Sequence, residues 1–179
     1  NNYNLMTCIV GIVEKDHIII GGDSAATSGD SISIIKDPKV FKVGSFLFGC
    51  EGSFRFIQAI KHMFISPKLA NKDINKFMCI DVVNEIMRVC EESKLSKTEN
   101  NKFGSALIGF KNRIFELDDD FQIFESESGI SAIGGGADIA LGSLYTSKGL
   151  NSYDRCLKAL EAAEAFNTSV SKPFTILKT

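Results

Sequence analysis

Thr7-Cys8-Ile9-Val10-Gly11-Ile12-Val13 and His17-Ile18-Ile19-Ile20-Gly21-Gly22-Asp23 are two apolar, β-branched runs on either side of Glu14-Lys15-Asp16, the pattern of a β-hairpin. Pairing them antiparallel about that polar break sets Val13 against His17 and Thr7 against Asp23. The next break, Thr27-Ser28-Gly29-Asp30-Ser31, treated the same way, sets Lys39 against Asp23. A hydroxyl, a carboxylate and an amine are therefore expected together at one end of a sheet. Threonine is a weak nucleophile at its free pKa and needs a base; its own free α-amine is one known solution. A lysine held by an aspartate adds positive charge that helps the hydroxyl lose its proton. The competing reading is structural, since each residue type is common at a strand end and a single bulge would break the register.

Four segments carry a resemblance to a known family: Thr7-Cys8-Ile9-Val10-Gly11, Gly22-Asp23-Ser24-Ala25-Ala26-Thr27, Lys39-Val40-Phe41 and Gly49-Cys50-Glu51-Gly52. Together they resemble the β-type proteasome family, above all the HslV-type bacterial peptidase and its smaller phage and bacterial proteasome-like relatives. The spacing of the threonine, aspartate and lysine matches that family without a gap, and weaker similarity covers nearly all of the chain.

The resemblance implies an α+β fold, the four-layer αββα sandwich of the N-terminal nucleophile hydrolases, in which the first residue of the mature chain attacks an amide carbonyl. Carried over, Thr7 is nucleophile and, through its α-amine, general base; Asp23 and Lys39 are the supporting pair. Gly49 is the glycine whose N–H stabilises the oxyanion, a contribution of about 10² to 10³ in rate for one such donor. Ala26, Leu47 and Glu51 line the pocket for the residue before the cut bond. Two positions depart from the family pattern. Gly134-Gly135-Gly136 stands where a Gly-Ser-Gly turn is usual, so Gly135 replaces a serine near the nucleophile, and Asn167 stands where an aspartate is usual. Thr168, Ser169 and Ser171 are the nearby hydroxyls that could substitute. The family also implies a homo-oligomer, of which a ring is one form, acting on a peptide or protein substrate, with an ATP-dependent unfoldase as a further partner.

An N-terminal nucleophile needs a free α-amine, yet residues 1–6 precede Thr7. They are expected to be a leader that is removed or a remnant of expression, with 7–179 forming the single catalytic domain. In the second case the natural chain starts at Met6, and ordinary removal of an initiator methionine before a small residue exposes Thr7.

Composition agrees with one folded domain: 179 residues, 44% hydrophobic and 23% charged. A net charge of −2 and a pI of about 5.7, with no basic run, argue against nucleic-acid binding. No apolar stretch is long enough for a membrane span, and no charged-then-apolar leader is present, so a cytoplasmic protein is expected. Five widely spaced cysteines among apolar neighbours suggest buried free thiols in a reducing compartment. With no CxxC and only His17 and His62, no metal pattern arises, and no cofactor is expected.

Other features have bland readings. Cys8 adjoins Thr7 but points to the opposite face of its strand. His17 is expected at the surface, at the far end from Thr7. Asp118-Asp119-Asp120 lies between apolar runs and suits a solvated hairpin turn better than a cation site. The triple glycine lacks the order of a phosphate loop, and close strand-to-helix packing explains it better.

Helical periodicity covers Phe56 to Phe64, stopping at Pro67, and a second face runs Val82, Val83, Ile86, Met87 and Cys90, broken by the charged loop 93–102. Strands follow at 105–110, 113–117, 121–125 and 130–133, then helices at 138–146 and 153–166, then a last strand at 174–177. Two rivals to the peptidase use the same sandwich: a small-molecule amidase, which a panel of amide and peptide substrates would separate, and a non-catalytic structural relative that never exposes Thr7.

Overall fold

The computed structural model describes residues 7–28, 30–95 and 103–179. The expected leader at 1–6, Gly29 of the second turn and the end of the charged loop lie outside the described residues. Eleven strands and five helices follow one another through these segments, and their order matches the sequence expectation closely.

Strands β1 (Ile9–Val13), β2 (Ile18–Gly22), β10 (Ile130–Ile133) and β11 (Thr175–Lys178) form one sheet in the order β10-β1-β2-β11. A second sheet is made of β5 (Val40–Val43), β6 (Phe46–Gly52), β7 (Gly104–Phe110), β8 (Arg113–Leu117) and β9 (Ile123–Phe124), in chain order. Between them in sequence, β3 (Ala25–Ser28) and β4 (Ser31–Ile34) make a separate two-stranded ribbon.

Alternation along the strands builds the layers. Cys8, Val10 and Ile12 turn outward to pack with Cys156, Ala159, Leu160 and Ala163 of α5 (Ser152–Phe166) and with Ala140 and Leu144 of α4 (Ala137–Thr146). Ile9 turns inward to meet Ile18, Ile20, Val40, Leu47, Leu107 and Ile114 between the two sheets. Phe46, Phe48 and Cys50 of β6 turn to the other outer layer, formed by α1 (Phe54–Met63) and α3 (Val83–Glu92). The helix α3 is entered from the short α2 (Ile74–Lys76) through one π-helical stretch, Phe77–Val82. The result is helix, sheet, sheet, helix, with period-2 strands buried on both faces.

The helices end where local chemistry ends them. Ser53 caps α1 by accepting from Phe56 N–H, and the extended Phe64 closes it ahead of Pro67. Asn151 caps α5 by accepting from Asp154 N–H.

Three expectations are corrected. The first is the hairpin register: Val13 faces Ile18 and Ile9 faces Gly22, so the ladder is one residue off and its continuation sets Cys8, not Thr7, beside Asp23. The cause is His17, which belongs to the turn. Glu14 N–H donates to His17 O across it, and the imidazole is half-buried between Asp16 Oδ1 (2.7 Å) and Ser152 Oγ (2.8 Å) rather than free at the surface. The second is the next turn, which is tight: Ser28 faces Ser31 and Ala25 faces Ile34. Lys39 is therefore not part of that ladder and arrives at the site from the start of β5. The third concerns the thiols: four are buried as expected, whereas Cys79 is exposed.

Candidate active site

Despite the shifted register, Thr7, Asp23 and Lys39 meet. Asp23 follows the last residue of β2, and its carboxylate is wholly buried. Oδ1 accepts from Cys8 N–H (3.1 Å) and Oδ2 from Ala25 N–H (2.9 Å), which fixes the carboxylate between the first strand and the base of the ribbon. Lys39 is positioned through its own backbone, because its carbonyl accepts from Cys50 N–H (2.9 Å) where β5 and β6 begin to pair.

From there its ammonium donates three times: to Thr7 Oγ1 (2.9 Å), Asp23 Oδ1 (2.9 Å) and Ala25 O (2.7 Å). An ammonium has three protons, and all three are placed. Burial pulls the Lys39 pKa below the usual lysine range, and the Asp23 carboxylate opposes that shift. A lysine whose donors are all committed has no lone pair for the Thr7 proton. It supplies positive charge at Oγ1, and the base must come from elsewhere.

Thr7 itself is held by its carbonyl. Gly136 N–H donates to Thr7 O (3.2 Å), and Gly134 (φ +95°) passes so near that a Cβ there would lie 2.1 Å from the same oxygen. A Cβ on Gly136 would press on Cys8 and Ala163, so the triple glycine is a packing device, as expected. The exposed Gly135 does not face Thr7 through a side chain; its carbonyl accepts from Asn167 Nδ2 (2.8 Å), while Asn167 Oδ1 accepts from Ser169 N–H (2.9 Å). Asn167 thus braces the turn that holds Thr7. Ser171 O accepts from Ser24 N–H, tying the same loop to the residue after Asp23.

The remaining expected residues divide. Ala26 is half-buried on β3, next to the carbonyl that Lys39 binds. Glu51 is half-buried at the end of β6, and a Cβ on Gly134 would stand 3.4 Å from its Oε2. Leu47 is corrected: it is 1% exposed and packed between the sheets, so it lines no pocket. Gly49 is corrected also. It is flanked by Val40 on one edge and Leu107 on the other. Because Cys50 N–H points to β5, alternation turns the N–H of Gly49 to β7, inside the sheet. The same alternation turns Gly52 N–H to the β5 edge, beyond Lys39, where β6 has no further ladder partner among the described residues. Gly52, with a φ of +119° at the strand end, is a position that the sequence reading did not single out.

Cys8 is no rival nucleophile. Its side chain lies in the outer helix-packed layer, and burial pushes its pKa up to about 12. Thiol reagents at neutral pH should label Cys79 alone in the folded chain and all five cysteines after unfolding; mass spectrometry of the labelled peptides reads this directly. Early labelling of Cys8 would contradict the placement.

Among the described residues no group of three His, Cys, Asp or Glu could hold a metal ion, and no helix is long and apolar enough to cross a membrane. Asp118 N–H donates to Gln122 O and Phe121 N–H to Asp118 O, so the acidic run is the expected hairpin turn.

No family model matches the chain, and no curated protein does. Solved structures do. The BPH of Thiobacillus denitrificans in complex with epoxomicin aligns with a TM-score of 0.81 at 19% identity, over 96% of this chain and 97% of that one. The Anbu (ancestral beta-subunit) of Yersinia bercovieri gives 0.72 at 14% identity, over 96% and 81%. Eukaryotic HslV from Trypanosoma brucei gives 0.69 at 18% identity, over 96% and 98%. At these identities the likeness is one of fold: this chain has the αββα sandwich of the proteasome-like N-terminal nucleophile hydrolases.

Proposed function

We propose that the chain is an N-terminal-threonine amide hydrolase, a proteasome-like peptidase that works once the α-amine of Thr7 is free. The observation that carries this reading is the three-way donation of Lys39 to Thr7 Oγ1, Asp23 and Ala25 O. It leaves the hydroxyl next to a fixed positive charge and lacking a base, a need that a free α-amine on the same residue fills.

The reaction then runs through named atoms. The α-amine takes the Oγ1 proton as Oγ1 attacks the substrate carbonyl. The oxyanion is met by the N–H of Gly52, in the place first given to Gly49. The protonated amine gives its proton to the leaving nitrogen, and water, activated by the same amine, releases the acyl group from Thr7. Asp23 touches no substrate; it holds Lys39.

Ala26 and Glu51 flank the approach, and the exposed Gly135 lies on the turn that adjoins Glu51. A carboxylate there favours a lysine, an arginine or a small residue before the cut bond over an acidic one. Glu51→Ala should reduce the preference for basic over acidic peptides several-fold in kcat/KM; an unchanged ratio would remove Glu51 from the pocket. We place the working form in the cytoplasm as a homo-oligomer, ring-shaped or otherwise, supplied with unfolded chains by an ATP-dependent partner.

Epoxomicin is held by the Thiobacillus denitrificans BPH, and the same compound is the test here. A chain starting at Thr7 should gain its mass on that residue. Absence of an adduct together with absence of peptidase activity would favour a structural protein on the same fold.

A further inference from the structure

We infer that Glu51 sets the protonation of the Thr7 α-amine, acting as the counter-charge to Lys39 in a site whose Asn167 and Gly135 supply no charge. This rests on the peptidase reading and deepens it.

The geometry is that of two groups flanking one bare glycine. A Cβ placed on Gly134 would meet Thr7 O at 2.1 Å and Glu51 Oε2 at 3.4 Å. The Glu51 carboxylate and the Thr7 main chain therefore meet over the same glycine. Its charge reaches further: after burial, the dominant influence at both groups, Glu51 is among the charges that raise the pKa of Lys39 and of the Cys8 thiol.

Among the described residues, charged and titratable groups come to the amine from several elements. Lys39 comes from the start of β5, Asp23 from the end of β2, Cys8 from the start of β1 and Glu51 from β6. The turn 134–136 and the loop 167–171 carry no titratable side chain. Lys172, just beyond, is turned to Glu164 (3.4 Å), and Arg55 at the start of α1 donates to Ser93 O.

Asp23 is already spent on Lys39 and two backbone N–H groups. A free α-amine titrates near 7.7 to 8.0. The Lys39 ammonium, 2.9 Å from Oγ1 on the same residue, presses that value down and so weakens the base. A carboxylate beside the same stretch of main chain favours the ammonium form and restores a pKa near working pH, where general-base catalysis is most effective.

The sign of the test follows. In a chain starting at Thr7, Glu51→Gln should move the acid limb of the kcat/KM profile to lower pH by about half to one unit, equally for basic, small and apolar substrates. An ¹⁵N-threonine label followed by NMR should show the same downward shift of the α-amine titration, which needs no turnover. Glu51→Asp should recover part of it. An acid limb and an amine titration that stay in place, while only the preference among substrates changes, would make Glu51 a pocket wall and overturn the inference. If the unsubstituted chain starting at Thr7 is inert, the peptidase reading falls, and the NMR titration still decides whether Glu51 governs the amine.

Discussion

A chain whose first residue is Thr7 should hydrolyse peptide amides and take a threonine-directed electrophile; with Thr7→Ala it should do neither, and with residues 1–6 attached it should be inert. With Met6 joined to it, the nitrogen of Thr7 is an amide, which is not basic. As a free amine it titrates near neutrality and can accept the Oγ1 proton. Loss of the nucleophile itself leaves only binding and oxyanion contacts, so turnover should fall by 10⁴-fold or more, the scale seen when a catalytic unit is broken. Intact mass and a fluorogenic peptide assay on the three forms decide the matter. Equal turnover of extended and trimmed chains, or retained turnover in Thr7→Ala, would end the nucleophile assignment.

Lys39→Met should lower turnover by at least about 10² to 10³, because Oγ1 loses the ammonium that touches it. It should also destabilise the fold. Asp23 is left as a buried carboxylate with two N–H donors and no cation, and breaking a buried pair from one side costs about 3–5 kcal/mol. The double variant Lys39→Met with Asp23→Asn removes the orphaned charge, so it should regain stability without regaining activity. Thermal unfolding and single-turnover rates on the same samples separate the two effects. A Lys39→Met chain with near-normal turnover would take Lys39 out of the site.

Much of the layer structure was legible because it rests on short-range periodicity. The alternation of Cys8, Val10 and Ile12 against Ile9, and the helical spacing of Phe56, Ile57 and Ile60, each mark one face. The convergence of Thr7, Asp23 and Lys39 was legible too, although by registers that prove wrong: the first hairpin slips by one residue, Lys39 lies outside the second ladder, and its long side chain reaches Thr7 and Asp23 from the start of β5. What failed needed long-range knowledge. His17 joins the turn because Ser152, far along the chain, receives its imidazole. Leu47 shares a face with Gly49 and Glu51, but that face is closed at Leu47 by the other sheet. The direction of the Gly49 N–H could not be read before β7 was known to lie beside it.

The loop and strand that complete the site lie far along the sequence from Thr7 and Asp23. Ser171 O holds Ser24, Asn167 holds the turn over Thr7, and β11 pairs with β2 along Gly22 to Ile19. On the ribosome, therefore, residues 7–23 wait for residues 167–178, which are made much later. Until β11 has emerged, the strand that ends in Asp23 lacks a neighbour and the bracing of Thr7 is missing. The order of synthesis thus runs against the order of need: the residues around Thr7 and Asp23 gain their bracing only when residues 167–178 are in place.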